Sequence, residues 1–197
     1  MVFRRLLAAV AVSLLLIGLS SCRSDPTVAA YVGDDEITLD QIDRYYAKAT
    51  SDPVSAAEVQ QDPASVKPKL VSMLVFIELL RDAAETAGVP VTAGQIAQAK
   101  AQIEPQRQQL TGELALLPID VLAEFQAHRV LLSQWASAGN VDQQTAGQKY
   151  TEALRASERA NPVTVNPRFG TFDLEKAPQM GNADIAVKPA PTAADQS

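Results

Sequence analysis

Cysteine and histidine, the residue types with the widest scope for covalent or metal chemistry, occur once each, as Cys22 and His128. A metal site takes several His, Cys or carboxylate ligands at set spacings, and no such cluster accompanies either residue. His128 falls in the apolar register of a helical pattern formed by Val121, Phe125, His128, Leu132 and Trp135, so it reads as a packed structural residue. No Gly-x-Ser-x-Gly elbow, phosphate-cradling loop or dinucleotide fingerprint is present. The acidic triplet Asp34-Asp35-Glu36 resembles the start of a calcium loop, but the further spaced oxygen ligands that such a loop needs do not follow; it reads as a solvated turn. These residues predict a protein that is not an enzyme and takes no metal or cofactor. The remaining candidates are aromatic. Tyr45, Tyr46, Phe76, Phe125 and Trp135 are the side chains that could line a groove for a peptide, although their helical spacing is also what core packing produces.

Cys22 stands in a different context. Arg4 and Arg5 make a short basic start, Leu6 to Leu19 carries no charge and is almost wholly apolar, and the small residues Ser20 and Ser21 follow. A charged start, an apolar run and small residues at the cut describe a secretory signal peptide over residues 1–21. The run is shorter than the ~20 residues of a comfortable transmembrane helix. Leu19-Ser20-Ser21-Cys22 resembles the bacterial lipobox, in which the cysteine thiol receives a diacylglycerol and the peptidase cuts just before it. The resemblance implies a chain exported from the cytoplasm and lipid-anchored through Cys22 on the extracytoplasmic face of the cell membrane. Two or more acyl chains hold a protein there stably.

Composition narrows the partners. The leader contains two arginines and no acid, so the formal charge of −6 becomes −8 once it is removed. An acidic balance argues against nucleic acid, whose phosphates demand clustered Lys and Arg, and against docking on anionic lipid through a basic patch. A single cysteine leaves no internal disulfide. Aromatics make up 5% of the chain, so the helices must be held by aliphatic packing.

The elements that would position these residues follow from periodicity and punctuation. Residues 22–26 read as a short tether. Thr27 to Val32, the turn Gly33-Asp34-Asp35 and Glu36-Ile37-Thr38 suggest a strand and a tight reversal. Thr38 with Gln41 makes a capping box for a first helix over about 39–49. Residues 51–67, with Pro53 and Pro63, read as a loop with room for a short helical turn, and Pro68 as part of the first turn of the next helix. From there to Ala87 the chain is apolar on nearly every side, the pattern of a helix at the centre of a bundle, and Gly88 with Pro90 ends it. Thr92 and Gln95 open another helix that Pro105 should kink or split before Gly112. Asp120 caps a fourth and Asp142 a fifth, which runs to about Arg159. Val163-Thr164-Val165 and Arg168 to Phe172 alternate like strands around Asn166-Pro167. Residues 174–197 lack periodicity and read as a disordered tail. The fold class expected is mainly α: four or five helices over residues 27–173, with a small β element in which the N-terminal strand pairs with the late strands.

This order of elements resembles a known family. Val32-Gly33-Asp34-Asp35-Glu36-Ile37-Thr38, the long apolar helix ending in Gly88-Val89-Pro90-Val91-Thr92, and Val165-Asn166-Pro167-Arg168-Phe169-Gly170 are similar to the punctuation of the SurA N-terminal-like chaperone domain and its PrsA-like relatives, especially actinobacterial lipoproteins. Many of those relatives insert a parvulin prolyl isomerase domain between the helices and the closing strand. Here only Ala160-Asn161-Pro162 separates the fifth helix from Val163, which leaves no room for it, and isomerase activity is not carried over. The resemblance implies a membrane-anchored, chaperone-like lipoprotein that binds unfolded or partly folded exported polypeptides. Two other classes stay open: an adaptor lipoprotein that scaffolds one dedicated envelope partner, and a prolyl isomerase without its usual domain.

Overall fold

In the computed structural model, residues 25–139 and 141–175 are described. The expected leader, Cys22 and the chain from residue 176 onward lie outside them.

β1 (Val28–Val32) is apolar throughout and buried along its length. It is the middle strand of a three-stranded antiparallel sheet, between β2 (Asp35–Thr38) and β3 (Val163–Val165). Tyr31 stands opposite Glu36 on one side and Thr164 on the other, so the late strand closes onto the N-terminal strand as expected. The turn between β1 and β2 depends on Gly33. Its φ is +58°, and a Cβ there would lie 2.7 Å from Asn161 Oδ1. Only glycine fits both the left-handed backbone and the close approach.

Thr38 Oγ1 accepts the Gln41 N–H at 3.2 Å and starts α1 (Leu39–Ser51). The region read as a loop is helical instead: α2 (Pro53–Gln61) is followed at once by the 24-residue α3 (Pro63–Thr86). Each proline opens a helix. Proline's missing N–H costs nothing at the first helical position, and an aspartate before it is a preferred N-cap residue. Asp52 Oδ1 accepts the Val54 N–H at 2.9 Å. Pro68 is consequently interior to α3 and not in its first turn. The helix tolerates it because twelve of its side chains are buried, and burying each large aliphatic one is worth about 1.5–3 kcal/mol. α3 ends as expected, in a Schellman arrangement in which Val89 N–H donates to Ala84 O at 2.9 Å and Gly88 N–H to Glu85 O at 3.0 Å.

α4 (Ala93–Ile103) carries the full capping box: Gln95 N–H donates to Thr92 Oγ1 at 3.3 Å and Thr92 N–H to Gln95 Oε1 at 2.8 Å. At Pro105 the chain tightens into a 3₁₀ stretch, Glu104–Gln109, and Gly112 precedes a short α5 (Glu113–Leu116). α6 (Ile119–Ser137) starts behind Pro118, so Asp120 lies in its first turn, paired with Lys100 at 2.6 Å, and does not cap it. α7 (Gln143–Ala160) is capped by Asp142, whose Oδ1 accepts the Thr145 N–H at 2.9 Å. Arg168 and Phe169 belong to a 3₁₀ turn, Pro167–Phe169, and not to a strand. The fold is mainly α with a small β element. Its seven helices among the described residues exceed the four or five expected, by α2 and α5.

Polar ties close the domain where its two ends meet. Asn161 Nδ2 donates to Asp82 Oδ2 at 2.9 Å, and Asn166 Nδ2 to Val28 O at 3.2 Å. Only Asn161 and Pro162 lie between α7 and β3. Among the described residues no helix is long and apolar enough to cross a membrane.

Candidate functional site

α7 is polar over most of its surface, but Tyr150, Leu154 and Ser157 recur at helical spacing and turn inward. α6 offers Phe125, Leu132 and Ala136 to the core. Toward solvent the two helices leave an open cleft of about 1090 Å³. Phe76 of α3, Val130 of α6 and Leu154 of α7 supply its apolar lining; Arg129, Gln134 and Arg155 are among its polar groups. At one end Leu174 and Glu175 border it, and Arg155 Nη2 donates to Glu175 Oε1 at 3.1 Å. Burial pushes the Tyr150 phenol up to about 12, against the pull of the Arg129 guanidinium. The phenol therefore stays protonated across the physiological range. Among the described residues the cleft lining includes no histidine. This is a surface suited to holding a chain through apolar contact and side-chain hydrogen bonds.

The five aromatic candidates are not brought together in one groove, although Phe76 and Phe125 meet. Phe76 alone lines the cleft. Phe125 is 1% exposed and lies beneath, its ring centroid 6.3 Å from that of Phe76; it supports the cleft as part of the core and offers no groove surface, contrary to its expected place. Trp135 is half-buried, with Lys149 Nζ 4.1 Å from its ring centroid and donating to its carbonyl oxygen at 3.1 Å, so it ties α6 to α7. Tyr45 and Tyr46 lie on α1, half-buried against the core, and Lys67 Nζ sits 5.2 Å from the Tyr46 ring. His128 is 5% exposed and its Nδ1–H donates to Glu124 O at 2.9 Å, a structural placement as expected. Among the described residues no group of three or more His, Cys, Asp or Glu side chains is placed to hold a metal ion. Asp34, Asp35 and Glu36 are exposed at the β1–β2 turn.

Arg129, Val130, Arg155 and Leu174 are cleft residues that the sequence pattern did not single out. A second concavity, about 880 Å³, lies at the α1–α2 corner and is organised by an ion pair. Arg107 Nη2 donates to Asp52 Oδ2 at 2.7 Å and to Ala115 O at 3.2 Å. The Arg107 guanidinium and the capped Val54 N–H hold the Asp52 carboxyl below the usual range. Asp52 thus caps a helix and anchors an arginine, a structural duty.

No curated protein and no solved structure matches the chain. A family model, the SurA-like N-terminal domain, matches residues 1–113. The match takes in the sheet's first two strands and α1 to α4, and stops before α6 and α7, which flank the cleft. A SurA N-terminal domain is a chaperone-type module that lacks the catalytic parvulin domain. On a match over more than half its length, the chain belongs to the SurA-like N-terminal domain family.

Proposed function

We infer that this protein is a lipid-anchored chaperone of the extracytoplasmic face, holding unfolded or partly folded exported polypeptides without catalysing their isomerisation. The observation that carries the reading is the α6–α7 cleft, with Phe76, Val130 and Leu154 in its lining and hydrogen-bonding side chains beside them. Such a surface suits weak, sequence-tolerant contact, because apolar lining does not discriminate finely among clients. A tight small-ligand site would instead converge a few precisely placed polar groups in an enclosed pocket.

The test uses residues 22–197 and a chemically denatured client. The domain is expected to suppress client aggregation at a few-fold excess without accelerating proline isomerisation in a protease-coupled peptide assay. Val130→Glu, which places a charge in the cleft, should abolish the suppression while the far-ultraviolet circular dichroism stays unchanged. Unhindered aggregation in the presence of folded wild-type domain would sink the holdase reading and favour an adaptor for one envelope partner. The anchor is tested separately. Arg4 and Arg5, the apolar run and Leu19-Ser20-Ser21-Cys22 support lipidation, so Cys22→Ala should release the protein from membranes or leave its leader uncut. Unchanged fractionation and processing would refute the anchor.

A further inference from the structure

A client-holding domain needs apolar surface to offer, and this one exposes little. Among the described residues Val141 is the one exposed large apolar side chain, at 37%. In the cleft Val130, Tyr150 and Leu174 are partly covered beside the buried Phe76 and Leu154, and the chain itself covers one end of it. Beyond the 3₁₀ turn, residues 171–175 run against α7. Phe172 and Leu174 are half-buried against the core. Arg155 and Glu175 make an ion pair whose side chains are 48% and 76% exposed, and an exposed pair of that kind holds a segment only weakly.

Packing around this segment is incomplete on two sides. Leu174 and Glu175 border the 1090 Å³ cleft, and the whole stretch from Thr171 to Glu175 also borders an adjoining cavity of about 480 Å³. The two cavities share Arg155, Leu174 and Glu175 as lining. Both run along α7, the first from Gln143 to Arg155 and the second from Arg155 to Arg159. With 1.5 Å of rise per residue, the stretch of α7 from Gln143 to Arg159 is about 24 Å long. An extended chain of about seven residues covers that distance.

We propose that Thr171–Glu175 is a displaceable strap across a single groove along α7, and that the groove takes an extended polypeptide segment in which a leucine-sized apolar residue is followed by a carboxylate. The strap presents that pattern itself, with Leu174 against the apolar wall and Glu175 on Arg155. With the strap set aside, Arg129, Arg155 and Arg159 stand against Glu158 along the groove, a cationic excess within an acidic protein, which favours a carboxylate on the incoming segment. Being tethered, the strap competes at high effective concentration, so the groove stays covered until a client segment replaces it. This deepens the client-holding reading and rests on it.

The experiment compares residues 22–197 of the wild type with Leu174→Ser/Glu175→Gln, using a fluorescent peptide of the sequence Gly170 to Lys176. The variant should bind the peptide about tenfold more tightly than the wild type, because the tethered competitor is gone. A peptide carrying serine in place of its leucine should not bind. Equal affinity in the two proteins, or no binding to either, overturns the strap. If the double variant loses helical signal, Glu175→Gln alone removes only the exposed ion pair and should raise affinity in the same direction by a smaller factor; no rise there also overturns it. A result in which the strap peptide binds as expected while denatured client still aggregates unhindered would leave the strap standing and remove the client-holding reading.

Discussion

α3 faces two neighbourhoods, and they are packed differently. On the side of the sheet and α1 lie Ala29, Ala30, Val32 and Ile42, each at or below 1% exposure, and the ends of the domain are stitched there by Asn161–Asp82 and Asn166–Val28. Toward α7 the same helix presents Phe76 to an open cleft, and the chain beyond β3 lies on that side with cavities around it. Close packing on one side fixes a single arrangement, since interiors resist even small changes in volume. The segment beyond β3, with cavities around it, is where opening should cost least. The family match follows the same division only in part. It covers α3 and the first two strands, whereas β3, which completes the rigid side, and α6 and α7, which form the cleft, lie beyond it.

The sharpest way to break this contrast is to cut the chain at two places. Ending it after Arg159 removes β3 and strips partners from the β1 edge, where Gly33 N–H donates to Pro162 O and Asn166 N–H to Ala29 O. Several backbone groups and the apolar sheet face then lose cover, at a cost of about 3–5 kcal/mol. Ending it after Gly170 keeps β3, removes the strap together with the residues that follow it, and should cost about 1 kcal/mol or less, a small fraction of the stability of a domain. Denaturant melts of the two truncations measure the difference, and equal losses would show that the rigid and loose sides are not distinct. A paired substitution tests the same contrast within one helix. Phe125→Ala opens a cavity under the cleft at about 3–5 kcal/mol, whereas Val130→Ala, at the half-buried cleft wall, should cost about 1 kcal/mol or less.

What the sequence made legible follows from local chemistry. Thr38, Thr92 with Gln95, Asp142 and Gly88 each announce a helix end through hydrogen bonds made within a few residues, and each does so here. The misreading of residues 51–67 has the same origin. Pro53 and Pro63 suggest a loop, yet each opens a helix behind an aspartate, with a side-chain cap bond from Asp52 and none from Asp62. The alternation of Arg168 to Phe172 suggested a strand, but Asn166 Oδ1 accepts the Arg168 N–H at 3.3 Å and turns the chain into a 3₁₀ stretch. The cleft was less legible because its walls depend on how α3, α6 and α7 diverge. Phe76 was found as an aromatic; Arg129 and Arg155 look like any surface arginine on a helix; Leu174 lay in a stretch read as tail. Its two described residues, Leu174 and Glu175, instead lie on α7.

The smallest expected effect concerns charge where the rigid side meets α6. Glu78 is largely buried, with an 18% exposed side chain, and pairs with Arg81 at 2.5 Å; Arg81 also pairs with Glu124 at 2.8 Å. Desolvation raises the Glu78 carboxyl above its ordinary 4.5; the Arg81 charge opposes the rise, and Asp35, Glu124 and Asp82 add to it. A carboxyl raised in the folded state binds its proton more readily there than in the unfolded chain, so its contribution to stability falls as pH rises from about 4.5 through the raised value. Asp52, lowered beside Arg107, has the opposite slope: its contribution is present above 3.8 and is lost as pH falls below that. Glu78→Gln removes the first slope and leaves the second. Arg81 keeps Glu124, so the variant should remain folded. Its stability relative to the wild type should therefore climb from acidic toward neutral pH, read from denaturant midpoints across that range. Parallel curves for variant and wild type would mean that Glu78 titrates alike in the folded and unfolded chain, and that burial on this side of α3 imposes no charge penalty.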